Sequence, residues 1–412
     1  MRIFLTFFWA LLPLLSCAQN IKSLQITESG KLNGLAMLPL NSSQKLQVQF
    51  DDLDDNGQNY SCKIIHCNAN WETSTLKDFE YLGGLNVSEI ENTEFSFNTL
   101  MGYAHYSFEI PNRYQVFKKS GNYKVQIYPS NQVDQIVAEL PFRVYENLVH
   151  IQAEVNIPKR VEYRNLKQEI SIRIRAIPEK FQIQQAFQNL KVYVQQNRNT
   201  LTYRQIPYQY ASGENFEYKD IDLLIFDGLN EYRNFDIRPL DYAGRNVKQT
   251  RVIDRKYQAS VWPDVNRLHT VYIENEDLNG DFAIKAAKKE NSAIEADYAW
   301  VDFLLESEYP LADKKIYVVG QFNAWELNAS NQMSYNYTKK AYTYTAPFKQ
   351  GFYDYMYVSQ SVKNGAINCV ELEGNHQETE NDYYIFAYYR NQTFGYDQLI
   401  GVLKINSRFI QK

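Results

Sequence analysis

Five histidines, four cysteines and 48 acidic residues are the groups that could support acid–base, nucleophilic or metal chemistry in this 412-residue sequence. The histidines stand at 66, 105, 150, 269 and 376, and none lies in a nucleophile elbow or a zinc-binding helix pattern. Cys62, His66 and Cys67 form a conceivable ligand set, but no second ligand pair has zinc-finger spacing. His66 and Cys67 are adjacent, so in a strand they point to opposite faces. Cys62 and Cys67 are also an odd number of residues apart, and buried free thiols are expected rather than a disulfide. Asp52-Leu-Asp54-Asp-Asn56-Gly57 has the spacing of the first half of a calcium loop, yet Lys63 stands where that loop needs a bidentate Glu. A hairpin turn is the expectation there. Nothing singles out a pair of carboxylates for hydrolysis, and the glycines make no phosphate loop. No catalytic residue, metal or cofactor is expected.

One further motif could hold a ligand. Ile316-Tyr-Val-Val-Gly320-Gln-Phe322-Asn323-Ala-Trp325 reads as a strand end, a glycine turn, then Asn and Trp. It is similar to the opening of the early-set β-sandwiches in glycogen-binding modules, where an exposed Trp stacks on a sugar ring. Trp325 and Asn323 are thus the candidate ligand or partner contacts, and a glycan-binding envelope protein using Gly320–Trp325 is the alternative function. The competing expectation is that Trp325 packs its loop onto the sheet, since one aromatic makes no sugar platform.

The elements that must position these residues read as strands. The chain holds 33 Tyr, 23 Phe and 5 Trp, residue types that suit half-buried pleated surfaces. Lys45-Leu-Gln-Val-Gln-Phe50 and Glu169-Ile-Ser-Ile-Arg-Ile-Arg175 alternate polar and apolar, as a sheet with one buried face requires. Short strands separated by turns recur along the chain, and no long amphipathic helix interrupts them. Lys118–Val125 reads as a turn into an edge strand. Asp220–Phe226 and Glu231–Ile237 flank a turn, Arg251–Trp262 closes the second block, and Lys285–Ala296 is a linker. The length suits about three domains. The expectation is all-β, with three consecutive β-sandwiches of Ig-like or early-set type. They follow a signal peptide over residues 1–18 and occupy 19–147, 148–287 and 288–412. The net charge of −5 argues against a nucleic-acid partner.

Met1-Arg2 followed by the apolar run Ile3–Leu15 reads as a signal peptide, too short to span a bilayer comfortably. Ser16 and Ala18 fit cleavage after Ala18. Leu14-Leu15-Ser16-Cys17 loosely follows a lipobox, which would put a lipid anchor on Cys17, although Leu15 is bulky for its place. No later segment has the length and apolarity of a membrane span.

A longer series of motifs gives these blocks a family. It comprises Ile65-His66-Cys67-Asn-Ala-Asn70-Trp71, Tyr103-Ala-His105-Tyr106, Lys349-Gln-Gly351-Phe-Tyr353-Asp-Tyr355-Met-Tyr357, Glu373-Gly374-Asn-His376-Gln-Glu378, Tyr388-Tyr389-Arg390 and Tyr396-Asp397-Gln-Leu399-Ile400-Gly401. Together they resemble the plug protein family of the type IX secretion system, over nearly the whole mature chain. The resemblance implies a non-enzymatic periplasmic protein, peripherally associated with the outer membrane. Its partner would be the very large outer-membrane β-barrel translocon, whose pore it closes. It transfers no active residue. A hydrolase with carboxylates on sandwich loops is the remaining alternative, and rests on composition only.

Overall fold

A computed structural model describes residues 21–28, 34–54, 56–212, 215–393 and 395–409. The described chain is nearly all strand, with only single-turn helices such as Asp78–Tyr81 and Ser292–Glu295. Alternation in the sequence is realised directly. Leu46, Val48 and Phe50 point inward along Leu46–Asp52, and Ile170, Ile172 and Ile174 along Lys167–Ala176.

Three cores form, each between two sheets. The first packs Ile21–Glu28, Leu46–Asp52, Ala104–Ile110 and Asn92–Phe95 against Met37–Pro39, Ala138–Tyr145, Gly121–Pro129, Tyr60–Cys67 and Val87–Glu89. Aromatic rings fill it: Phe50 stacks on Tyr106 at 4.9 Å and Tyr123 on Phe142 at 5.3 Å. The second packs Val149–Asn156, Lys167–Ala176 and Asn215–Tyr218 against Leu190–Gln196, Asp382–Asn391 and Tyr396–Asn406. In the third, Arg233–Asp236, Phe282–Ile284, Lys314–Val319 and Gly351–Ser361 face Val247–Ile253, Lys256–Val261, Tyr298–Glu306 and Ala341–Lys349.

The all-β expectation holds, but the sheets do not follow the expected blocks 148–287 and 288–412. Leu190–Gln196 pairs with Asp382–Asn391, so the second sandwich is completed by the end of the chain. Lys256–Val261 pairs with Tyr298–Glu306, so the expected boundary at 287 falls inside the third. The third sandwich is therefore inserted into the second. The chain leaves through residues 227–232 and returns through 373–381. The turn expected at Asp227–Asn230 is the outgoing crossover: Ile225–Asp227 stays with Lys167–Ala176, whereas Arg233–Asp236 joins Gly351–Ser361. The crossovers bind each other closely. His376 N–H donates to the Leu229 carbonyl at 2.8 Å, and Asn381 Nδ2 to the Gly228 carbonyl at 2.9 Å. A Cβ on Gly228 would lie 1.9 Å from the His376 carbonyl oxygen, so only glycine fits.

Smaller departures have local causes. Arg251–Trp262 does not close the second block: it spans a hairpin of the third sandwich, whose turn residues Asp254 and Arg255 both adopt positive φ. Lys285–Ala296 connects two strands of one sandwich. Gly121–Pro129 is central rather than an edge, bonded on one side to Ala138–Tyr145 and on the other to Tyr60–Cys67. Leu46–Asp52 and Tyr60–Cys67 lie in opposite sheets, so Asp52–Gly57 belongs to an arch between layers and not to a hairpin.

Candidate functional site

The Gly320–Trp325 loop does not present a ligand platform. Ala324 and Trp325 take positive φ, which turns the indole inward, and Trp325 is 1% exposed. Its ring packs edge-on against Tyr232 at 5.7 Å, and its Nε1 donates to Gln321 Oε1 at 3.3 Å. Gly280 supplies the space, since a Cβ there would approach the indole to 2.6 Å. Asn323 closes the same loop: its Oδ1 accepts from Gly320 N–H at 3.1 Å and its Nδ2 donates to the Val318 carbonyl at 2.9 Å. Both residues serve packing, and a buried indole cannot stack on a sugar. Ala18 and Cys17 lie outside the described residues.

His66 and His105 are buried as well, whereas His150 and His269 are exposed. His66 Nδ1 lies 2.8 Å from Ser74 Oγ, the nearest approach to a nucleophile–base pair, but its Nε2 faces the Ser120 carbonyl rather than an acid. Rings of Tyr81, Tyr123 and Tyr396 surround it, and burial pulls the imidazole down to about 4. Cys62, Cys67 and Cys369 are free thiols, raised by burial to about 12, 11 and 12, which makes them inert. Among the described residues no group of three metal-ligating side chains converges.

Two other features stand out, and neither was visible as a motif. The first is the bracing of the three sandwiches. Between first and third, Asp51 Oδ2 accepts from Lys349 Nζ at 2.7 Å and from Tyr298 OH at 2.6 Å, all buried. Between first and second, Tyr388 OH donates to Asn122 Oδ1 at 2.7 Å. Nearby, the Arg143 guanidinium lies over the rings of Phe386 at 4.0 Å and Trp71 at 4.8 Å. Between second and third, Arg198 pairs with Asp281 at 2.7 Å. Each sandwich is thus tied to both others.

The second is an apolar surface on the first sandwich. Leu82–Gly83 pairs with Val116–Phe117, and Gln115 Nε2 donates to the Leu85 carbonyl at 2.8 Å. These bonds hold together two segments bearing Phe79, Leu85, Val87, Tyr114 and Val116, each at least half exposed. Leu85, at 78%, is the most exposed of the five. The one sequence signal for it is the Gly83-Gly84 pair set among apolar residues that no strand alternation absorbs.

Residues 21–146, the first sandwich, match the model for the type 9 secretion system plug protein 1st domain. A crystal structure of a hypothetical protein from Parabacteroides merdae ATCC 43184 superposes with a TM-score of 0.90. It is 29% identical, with 94% of this chain and 97% of that one covered. A Salmonella alpha-2-macroglobulin mutant reaches only 0.16 at 8% identity over 93% of this chain and 33% of that one, and carries no argument. No curated protein matches. No helix of the described residues is long and apolar enough to cross a membrane. The match over the first sandwich, residues 21–146, supports a relationship of this chain to the type 9 secretion system plug family.

Proposed function

We propose that this protein is a non-enzymatic periplasmic plug that binds and closes the outer-membrane β-barrel translocon of the type IX secretion system. The observation that carries the proposal is the family match of residues 21–146. The architecture supports it. A stopper for a wide aqueous barrel must keep its shape under load, and three sandwiches braced pairwise by buried polar contacts do so. A stopper also needs a place to bind. The surface of Phe79, Leu85, Val87, Tyr114 and Val116 lies on the family-matched sandwich, and each such side chain gains about 1.5–3 kcal/mol on full burial against a partner. Arg113, stacked on Tyr114 at 4.6 Å, gives that surface a polar border of the kind releasable interfaces carry.

Affinity purification from detergent-solubilised outer membranes tests the reading. The barrel is expected to co-purify with the wild-type chain, and deletion of the gene is expected to admit large antibiotics across the outer membrane. A barrel-free eluate together with unchanged permeability would overturn it. The double substitution Leu85→Asp and Val116→Asp is expected to lower barrel recovery at least tenfold with an unchanged melting temperature, because both side chains already face water. Full recovery would move the contact elsewhere on the molecule.

A further inference from the structure

The joint at which the third sandwich is inserted into the second holds an unusual concentration of acid. Glu231 lies on the outgoing crossover and Glu380 on the returning one. Asp277 lies on the irregular segment 271–278, and Asp354 on the strand Gly351–Ser361. Glu231 Oε1 accepts from Tyr272 OH at 2.5 Å and from Glu380 N–H at 3.2 Å. Asp277 accepts from Tyr232 N–H at 2.6 Å and Asn279 N–H at 2.8 Å. Asp277 thus lies beside Glu231, since it accepts from the backbone N–H of the very next residue. Asp354 accepts from Leu278 N–H at 2.5 Å and Gly280 N–H at 3.1 Å, while its Oδ1 is buried with no partner.

The nearby cations are committed elsewhere. Arg408 pairs with Glu380 at 3.1 Å, with Glu274 at 3.9 Å beyond it, and Arg198 pairs with Asp281 at 2.7 Å. Glu274 and Glu276 are exposed on the segment, and Glu378 adds negative charge near Tyr272 and His376. The His376 ring lies 5.7 Å from that of Tyr272, and burial lowers its affinity for a proton. Among the described residues no cation pairs with Glu231, Asp277 or Asp354. Two neighbouring, largely enclosed carboxyl groups with no cation between them resist ionising together. No three ligands converge for a metal ion, which leaves a proton.

We infer that the Glu231–Asp277 pair shares a proton that clasps the two crossovers together, making this joint stiff in mild acid and looser as the pH rises. The titration of the pair agrees. Burial raises Asp277 to about 7, with Glu231 and Glu380 adding to the effect, and burial raises Glu231 likewise. Burial also holds Asp354 well above the usual carboxylate range, with Asp277 contributing. The folded value lies above the ordinary one. The contribution is therefore complete below about 4, is lost as the pH rises toward about 7, and is constant above that.

Hydrogen exchange of the full-length mature chain in EDTA tests the clasp, read on peptides covering Tyr232 and Glu380 and corrected for intrinsic chemical exchange. Local opening is expected to increase at least tenfold between pH 5 and 7 and to level off above pH 8. One linked proton permits at most about tenfold per pH unit. Asp277→Asn keeps the acceptor for Tyr232 N–H and is expected to abolish the pH dependence, as is Glu231→Gln should the first variant fail to fold. On the wild type alone, the infrared carbonyl band of a buried protonated carboxyl should titrate near pH 7. Opening that does not change between pH 5 and 7, or no such band, would overturn the inference. So would protection restored at pH 8 by millimolar calcium, because the shared positive charge would then be a metal ion.

Discussion

Lys349→Met is expected to lower the stability of the first unfolding transition by about 3–5 kcal/mol, the cost typical of orphaning a buried charge. Lys349 is 2% exposed and Asp51 0% exposed. The ammonium donates to Asp51 Oδ2 at 2.7 Å and to the Ala293 carbonyl at 2.6 Å, and lies 4.1 Å over the Tyr103 ring. Burial depresses the lysine's pKa while Asp51 pulls it back up, so the pair survives in the interior only as a pair. Met fills the volume but leaves the Asp51 carboxylate with His105 and Tyr298 alone. Adding Asp51→Asn should recover most of the loss, because the amide needs no counter-charge. Urea unfolding followed by tyrosine fluorescence checks both, with the transitions fitted separately since three sandwiches need not unfold together. A loss below about 1 kcal/mol for the single variant would show that the first and third sandwiches are not braced by this pair.

Glu373→Gln should be about as severe, at roughly 3 kcal/mol or more, and should alter the response to acid. Glu373 is 1% exposed. It accepts from Arg233 Nε at 2.9 Å, from Arg267 Nε at 2.9 Å and from Tyr357 N–H at 2.7 Å. Arg233 in turn reaches Asp264 at 2.7 Å, so one carboxylate organises two guanidinium groups at the returning crossover. Burial by itself would raise the Glu373 pKa, but Arg233 and Arg267 outweigh it and hold the group below its ordinary 4.5. Its stabilising contribution is therefore complete above about pH 4.5 and is lost as the pH falls through the folded value. The wild type should lose stability in acid more steeply than the Gln variant does. Parallel melting profiles of the two proteins between pH 3 and 6 would count against this role. The window lies mostly below that of the Glu231–Asp277 clasp, and the two effects have opposite sign.

What could be read from the sequence depended on distance along the chain. Lys45–Phe50 and Glu169–Arg175 show their strands openly, because period-two alternation is local and burial of one face preserves it. The insertion was invisible, because it rests on Leu190–Gln196 pairing with Asp382–Asn391, a match that no local pattern records. The turn at 254–255 carries no local signal, because Asp-Arg lacks the glycine that usually announces two successive left-handed residues. The inward turn of Trp325 depends on Gly280, far off in sequence, which makes room for its ring and leaves no trace in the local motif. The family motifs were legible because they are long runs. The apolar surface at Leu85 and Val116 was not, since its two halves, some thirty residues apart in sequence, are brought together by the Leu82–Phe117 and Gly83–Val116 pairing and the Gln115–Leu85 bond.

The nested connectivity also sets an order of assembly. A polypeptide delivered amino-terminus first can finish the sandwich over 21–146 early, since all its strands are contiguous. The next sandwich cannot close then. Val192 and Val194 wait on their sheet for Ile385 and Ala387, which arrive only after the whole inserted unit has emerged. Late completion through distant pairing is slow and leaves apolar strands uncovered meanwhile. A premature stop anywhere between 230 and 380 would therefore not yield a shorter working protein. It would yield a finished head followed by a half-built sheet, the kind of species that chaperones and proteases remove.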